Sequence, residues 1–279
     1  MTNTVHAEVD LGSAARASGT GSGMILIARL AFLLLFLAIW QGTVALGWAN
    51  PAFISSPLSI AGALWGLVEG GEIFPHLATT LTEIVIAFVL SVVLGVASAL
   101  FLDRHDAVNR ILSPFLTAFN SMPRIALGPL FILWFGIGIT SKVVLAVSLG
   151  YFIMLLSTLG GLRNVDRDLL LMSRLFGASE LRLFRDVRAP WALPSIFAGL
   201  KLTLIYCSAG AVIGEMIAAK SGLGLLVQTF SGRFDVAGVM ALILVVALIV
   251  MAFTSLIDGF ERRFLAWNQG ATDVPGGTA

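Results

Sequence analysis

Six apolar runs, each long enough to cross a lipid bilayer, constrain this sequence more than any other feature. A transmembrane helix needs about 20 consecutive and mostly apolar residues. The runs cover roughly 25–46, 77–102, 111–135, 141–162, 190–218 and 236–257. Of the 279 residues, 58% are hydrophobic and only 12% are charged, so a soluble core could not cover the apolar surface. We therefore predict an all-α integral membrane protein with about six transmembrane helices.

Two features interrupt or connect these runs. The third run contains Ser121-Met122-Pro123-Arg124, where the proline lacks a backbone N–H and is expected to kink or break the helix. Between the first two runs, Pro57–Gly70 has the period of a short amphipathic helix that would lie at the membrane interface. The polar stretches 1–24 and 268–279 are typical of disordered tails, which leaves 25–267 as the membrane domain.

Small residues recur every four positions in two of the runs. This spacing lets helix backbones approach closely in lipid. The residues are Ser91, Gly95, Ala99, Gly210, Gly214 and Ala218. We interpret them as packing positions within one bundle, with a subunit interface as the alternative.

The basic residues predict the orientation of the chain. Cytoplasmic loops of membrane proteins carry an excess of Lys and Arg. If both termini are cytoplasmic, the outside segments hold only Lys142, Lys220 and Arg233. The inside segments then hold Arg16, Arg29, Arg104, Arg110, Arg163, Arg167, Arg174, Arg182, Arg185, Arg188, Arg262 and Arg263. We predict a multi-pass protein of the inner membrane with both termini in the cytoplasm.

The basic stretch 163–189, which we call the coupling segment, contains signals for two short helices. Asp166 can cap the first helix by accepting hydrogen bonds from its first backbone amides. Gly177 stands where a helix ends in a left-handed residue. Ser179 can cap a second helix, which Pro190 is expected to close. The pattern predicts a compact cytoplasmic knob whose apolar side chains need a partner.

The spacing within this segment resembles the cytoplasmic signature of binding-protein-dependent ABC importer permeases. In that family a Glu-Ala-Ala triplet is followed, after three residues, by glycine, then by nine residues and Ile-x-Leu-Pro. Here Gly177 is followed by nine residues and by Val187-Arg188-Ala189-Pro190. Leu171-Met172-Ser173 stands in place of the triplet, so the spacing is kept and the acidic residue is not.

Other stretches resemble the nitrate/sulfonate/taurine branch of the family, which also handles pyrimidine and flavin precursors. They are SSPLSIAGALW at 55–65, GPLFILWFGIG at 128–138, SGLG at 221–224 and ERRFLAW at 261–267. Each motif is weak alone, but their order along residues 54 to 267 is specific. The resemblance implies the type I ABC importer permease fold and a chain that moves a small solute across the inner membrane by alternating access.

The resemblance also implies partners and contact residues. The partners would be two ABC ATPase subunits, a second permease copy in a homodimer and an extracytoplasmic solute-binding protein. ATP and Mg would be bound by the ATPase, and this chain would need no cofactor. The residues that would contact the ATPase are Gly177, Ala178, Ser179, Glu180, Leu181, Phe184, Arg185 and Pro190.

Known catalytic motifs are missing from the sequence. It has no G-x-x-x-x-G-K-[ST] phosphate loop, no H-E-x-x-H and no G-x-S-x-G, and His6, His76 and His105 are far apart. A net charge of +1 gives no reason to expect a nucleic-acid partner. We expect a non-catalytic subunit without a metal site.

Ionisable side chains at membrane depth tend to face a cavity or one another. Glu83, Arg124, Lys201 and Glu215 qualify. Arg124 follows the Pro123 break and could meet an anionic substrate with its planar guanidinium, or it could pair with Glu215. We predict five substrate-path residues: Asn120, Ser121, Arg124, Tyr206 and Glu215. Ser208 is a further polar candidate at a similar depth.

Two other functions stay open at this point. A self-sufficient secondary transporter or channel would favour inverted repeats with matched broken helices, whereas only one run is clearly interrupted. A membrane scaffold without transport activity is the third possibility. The substrate is left open between a nitrate/sulfonate/taurine-like anion and a pyrimidine- or flavin-type precursor.

Overall fold

The structure is a computed structural model that describes residues 22–50 and 53–265. The predicted tails at 1–24 and 268–279 lie almost entirely outside the described residues. The chain divides into two compact units, Met1–Ser59 and Ile60–Ala279.

The first unit contains one long helix, α1 (Ser22–Ala45), and the start of α2 (Pro57–Glu69). The most apolar window of α1 has a mean hydropathy of 2.4 and no buried residue. A helix that is apolar on all sides is suited to lipid. The predicted helix over Pro57–Gly70 is confirmed, since Ser56 caps α2 by accepting the Ser59 N–H. Its position at the membrane interface stays a prediction.

The second unit is a helical bundle, and the described part of it contains no strand. Its helices are α3 (Ile73–Arg104), α4 (Asp106–Ser121), α5 (Gly128–Phe135), α6 (Ile139–Arg163), α7 (Arg167–Leu175), α8 (Glu180–Leu183), α9 (Ala189–Ile217), α10 (Leu223–Gly232) and α11 (Val236–Phe264). Together with α1, five described helices are long and apolar enough to span a membrane, and a bent pair makes up to six. The predicted fold class is confirmed.

The bent pair is the interrupted third run. Met122 is extended, with ψ of 140°, as expected for a residue before proline. After Pro123, a 3₁₀ turn at Arg124–Leu127 leads into α5. The axis of α4 and that of the segment after the break differ by 79°, which confirms the predicted break.

The core is centred on α6, which packs against both α3 and α9. Glycines bring these backbones together. A Cβ atom at Gly95 would lie 2.7 Å from the Met154 Cβ, and one at Gly210 would lie 2.7 Å from the Ala146 Cα. Bundle packing therefore explains the small-residue stripes. Ala218 is an exception, because it lies in extended backbone just after α9.

Replacing Gly210 tests this packing. We expect Gly210→Ala to lower the free energy of unfolding by about 1–3 kcal/mol, since the added methyl group meets backbone that cannot move independently. Gly160→Ala, at a helical position with no neighbour within 4 Å, is the control and should be neutral or stabilising. Thermal unfolding of the purified chain in detergent measures both. Equal destabilisation by the two substitutions would contradict the packing assignment.

Candidate functional site: the Arg124 cavity and the coupling segment

The break after α4 opens a cavity of about 460 Å³. This volume lies within the range of small-molecule sites, roughly 300–1,000 Å³. The lining residues are Asn120, Met122, Pro123, Arg124, Ile125, Leu149, Ile153 and Tyr206. Most of these side chains are apolar, and the Arg124 guanidinium is the charged group among them.

Neutral groups hold the Arg124 guanidinium in place. Its Nη1 donates to the carbonyl oxygen of Ser148 at 2.5 Å and to that of Leu149 at 3.4 Å. Its Nη2 donates to the backbone oxygen of Asn120 at 3.0 Å and to the Asn120 Oδ1 at 2.6 Å. The guanidinium carbon lies 4.6 Å from the ring centre of Phe152. Among the described residues no carboxylate forms an ion pair with Arg124, so its charge is oriented without being neutralised.

The cavity contains three of the five predicted substrate-path residues, Asn120, Arg124 and Tyr206. Two others are placed elsewhere. Ser121 is exposed and its hydroxyl donates back to the Thr117 carbonyl oxygen. Glu215 is fully buried and does not line this cavity, so its place on the path stays a prediction.

The alternative pairing of Arg124 with Glu215 is not formed. Glu215 instead accepts hydrogen bonds from the Thr80 hydroxyl and the Gly224 N–H, each at 2.7 Å. The physical reason is position along the helices: Glu215 is near the end of α9, where the first turn of α10 supplies an N–H donor. Ser208 is also buried, and it donates to the Leu204 carbonyl oxygen rather than facing the cavity.

Lys201 does not face the cavity. Its ammonium group pairs with Asp258 at 2.6 Å and with Glu261, both on α11. These contacts tie α9 to α11 and satisfy the lysine charge.

Sequence reasoning missed Lys142. The charge pattern places it in an outside segment, yet it is 2% exposed, and its Nζ donates to the carbonyl oxygens of Ile137 at 2.5 Å and Gly138 at 3.0 Å. Its position near the start of an apolar run gives no signal for burial. The cavity-lining Leu149 and Ile153 were also missed; they are four residues apart on α6, but uniform apolarity conceals which face is lined.

The coupling segment has the predicted caps and turn. The Asp166 Oδ1 accepts the Asp168 N–H at 2.8 Å at the start of α7. Gly177 has φ of +80°, the left-handed conformation that glycine adopts without strain. The Ser179 Oγ accepts the Arg182 N–H at 3.4 Å at the start of α8.

The predicted closing role of Pro190 is wrong. A π-helical turn at Phe184–Arg188 connects α8 to α9, and Pro190 lies in the first turn of α9. The Ala189 N–H donates to the Phe184 carbonyl oxygen, five residues back. The wider π turn leaves room for the proline ring beside the preceding carbonyl groups, so the helix continues past a residue without an N–H.

The apolar residues of the segment divide into an outer and an inner set. Leu175 and Phe176 are each 86% exposed and Leu181 is 77% exposed. By contrast Leu183 is buried and Phe184 is half-buried. The expectation that all the apolar side chains need a partner is therefore wrong for Leu183, which the chain itself covers.

Ion pairs hold the segment to the bundle and to itself. Arg188 Nη2 lies 2.6 Å from an Asp103 carboxylate oxygen and 3.2 Å from the Leu162 carbonyl oxygen, so it bridges the ends of α3 and α6. The Asp103 side chain is only 7% exposed. Arg174 and Glu180, 3.1 Å apart, link α7 to α8. These contacts tie the segment to the ends of α3 and α6.

Comparison with known proteins agrees with this architecture. Residues 91–266 match the sequence profile of a family described as the binding-protein-dependent transport system inner membrane component. The chain belongs to this family. The resemblance found in the sequence is confirmed, and the chain is a transmembrane permease subunit of the ABC importer type. Membership implies an ATPase and a binding protein as partners in general.

Three relatives cover most of the chain. The riboflavin transport system permease protein RibX of Chloroflexus aurantiacus is 34% identical over 84% of this chain and 88% of its own length. The formylaminopyrimidine transport permease protein ThiX of Halalkalibacterium halodurans is 33% identical over 85% and 94%. The taurine transport system permease protein TauC of Escherichia coli is 30% identical over 85% and 88%.

The fold also matches a solved structure. The MetNI methionine ABC transporter, in an inward-facing conformation, aligns with 72% of this chain and 96% of its own chain. The TM-score is 0.55 at 22% sequence identity, which supports the shared fold.

The Asp103–Arg188 contact can be tested by a double-mutant cycle. Because Asp103 is nearly buried, we expect a coupling energy of about 1–3 kcal/mol between Asp103→Ala and Arg188→Ala. The more exposed pair Arg163–Asp106 is the matched control, with an expected coupling below about 1 kcal/mol. Unfolding of the purified variants in detergent measures both cycles, and equal coupling in the two would contradict the anchoring role of Arg188.

Proposed function

We propose that this subunit carries a small anionic or polar heterocyclic solute into the cell, driven by ATP hydrolysis on separate ATPase subunits. The observation that carries the proposal is the coupling segment, an exposed apolar surface held by ion pairs on the ends of membrane helices. Family membership supports the importer class. The driving partner, the substrate and the orientation are the parts that we propose.

The ATPase would bind the outer set of the coupling segment. Leu181 follows the Ser179 cap and is 77% exposed, next to the residues Gly177–Glu180 that form the turn. Exposed Arg182 and Arg185 surround this surface. Apolar side chains ringed by charge are typical of a protein-binding surface. Phe184 and Pro190 are half-buried and would support the surface from below.

The basic residues favour a cytoplasmic position for this surface, where the ATPase, ATP and Mg are found. Both termini would then be cytoplasmic. We propose two ATPase subunits, a homodimer of this chain and an extracytoplasmic solute-binding protein that delivers the substrate. Closure of the two ATPases would pull the coupling segments together, and each bundle would rock as a rigid body between inward-facing and outward-facing states.

The substrate would pass the Arg124 cavity. A guanidinium oriented by neutral oxygens keeps its charge available to a solute that carries a sulfonate, another anionic group or a carbonyl oxygen. The names of the relatives include taurine, formylaminopyrimidine and riboflavin, and all three solutes carry such groups. We therefore propose a nitrate/sulfonate/taurine-like anion or a pyrimidine- or flavin-type precursor.

Leu181→Asp tests the docking surface. A carboxylate placed in an apolar contact must be desolvated, so we expect loss of co-purification with the ATPase and loss of solute-stimulated ATP hydrolysis. Phe234→Asp is the control, because Phe234 is 87% exposed and lies between α10 and α11, at the end of the bundle away from the coupling segment. ATPase binding that survives Leu181→Asp would contradict the docking assignment. Solute accumulation by the purified chain alone in vesicles would instead favour a self-sufficient transporter.

Arg124→Gln tests the substrate path. We expect transport by the reconstituted complex to fall by about tenfold or more while the complex still assembles, since a charge-assisted contact is worth roughly 1.5–3 kcal/mol. Arg124→Lys keeps the charge and should retain part of the transport if the solute is anionic. Normal transport in both variants would exclude Arg124 from the path without affecting the docking result.

A further inference from the structure

A buried polar cluster lies at the end of the bundle opposite the coupling segment, and the proposed function makes no use of it. It combines Glu83 of α3, Lys142 at the start of α6 and Glu215 at the end of α9. Their exposed fractions are 1%, 2% and 0%. Ionised groups this deeply buried are costly unless each is paired or hydrogen-bonded.

Glu215 has the surroundings of a carboxylate. Its Oε1 accepts the Thr80 hydroxyl at 2.7 Å and its Oε2 accepts the Gly224 N–H at 2.7 Å. Thr80 in turn accepts the Leu223 N–H at 2.8 Å, and its hydroxyl oxygen is closer to the Glu215 Oε1 than to its other acceptor, the His76 carbonyl oxygen at 3.1 Å. Both oxygens thus face donors, as an ionised carboxyl group requires.

The segment 221–224, which ends the loop and begins α10, is shaped around this carboxylate. Gly222 has φ of +125°, and a Cβ atom there would overlap the Glu215 carboxyl group. A Cβ atom at Gly224 would lie 3.0 Å from the Glu215 Oε2. The SGLG motif thus brings the Gly224 N–H onto this buried carboxyl group.

Glu83 has the opposite surroundings. Its Oε2 is buried and receives no hydrogen bond from any described residue. Glu83 follows Thr80 by three residues on α3, and Thr80 contacts Glu215, so the Glu83 carboxyl group lies beside that of Glu215. Two carboxyl groups can share a hydrogen bond only if one of them carries a proton.

The cations nearby do not remove this requirement. The Lys142 ammonium donates to two backbone carbonyl oxygens and forms no ion pair within 4.0 Å among the described residues. A single ammonium group can balance only one of the two carboxylates. The His76 Nδ1 lies 3.0 Å from the Gly222 backbone nitrogen, so this atom accepts the Gly222 N–H and is not directed at the carboxyl pair.

We propose that Glu83 is a neutral carboxylic acid at physiological pH and donates its O–H to the Glu215 carboxylate. The site is a proton-binding site shared by two helices. The held proton joins α3 to α9, while Glu215 holds the loop 221–224 in place. Loss of the proton would set two carboxylates against each other and release the loop. This inference does not rest on the proposed function.

Infrared spectroscopy of the full chain in lipid nanodiscs tests the proposal. At neutral pH we expect the spectrum of the wild type minus that of Glu83→Gln to contain the carbonyl stretch of a protonated carboxylic acid. In the spectrum of the Glu215→Gln variant we expect the carbonyl stretch of the Glu83 carboxylic acid to persist at a shifted frequency, because the introduced amide would still offer an acceptor oxygen. If Glu215→Gln does not fold, the difference between the wild-type and Glu83→Gln spectra is sufficient to test the proposal. A carboxylate band in that spectrum, with no carboxylic acid band, would overturn the proposal.

Thermal stability provides an independent readout. The two carboxyl groups are predicted to be in different states, so the same substitution should have unequal effects. Glu83→Gln replaces one neutral donor by another and should leave the melting temperature nearly unchanged. Glu215→Gln directs an NH₂ group at an existing donor and should lower the melting temperature by several degrees. A larger loss of melting temperature in Glu83→Gln than in Glu215→Gln would place the proton on Glu215 instead of Glu83 and refute the proposal.

Discussion

Close contact between the backbones of α6, α3 and α9 is the constraint on which the rest of this structure depends. Lipid provides no hydrophobic force that draws helices together, so their association relies on van der Waals contact and interhelical hydrogen bonds. Gly95 and Gly210 remove the side chains that would hold the helices apart. Because the three helices form one packed unit, the cavity, the coupling segment and the carboxyl cluster share a single scaffold.

Charges inside this scaffold are stabilised in three different ways. Lys201 is matched by carboxylates on α11, which makes it a structural link. Arg124 is held by neutral oxygens and an aromatic ring, which orients its charge and leaves that charge available. Glu83 and Glu215 face each other and require a proton between them. The kind of partner thus separates a structural ion pair from a substrate-facing charge and from a proton site.

Local signals in the sequence predicted much of this architecture. The apolar runs indicated the spans, Pro123 indicated the break, and Asp166, Gly177 and Ser179 indicated the caps and turn of the coupling segment. Each of these signals acts within a few residues of the structure that it specifies. The SGLG motif was also noted, but α10 after it was not, because ten residues are too short to form a span.

What the sequence could not predict depends on contacts between distant segments or on unusual local geometry. Lys142 is near the start of an apolar run, and only the fold shows that its ammonium group meets the carbonyl oxygens of Ile137 and Gly138. The partners of Glu215 come from α3 and from the first turn of α10. Pro190 predicts a helix end because its local signal is strong, whereas the π turn before it lets the chain continue.

The continuity across this π turn has a mechanical consequence. Glu180–Ile217 is one helical rod of 38 residues, about 57 Å long at 1.5 Å per residue. Leu181 is at one tip of the rod and Glu215 is close to the other. A partner that tilts the Leu181 end of this rod therefore also moves the Glu215 end. No separate hinge is needed to carry a force from one face of the membrane to the opposite face.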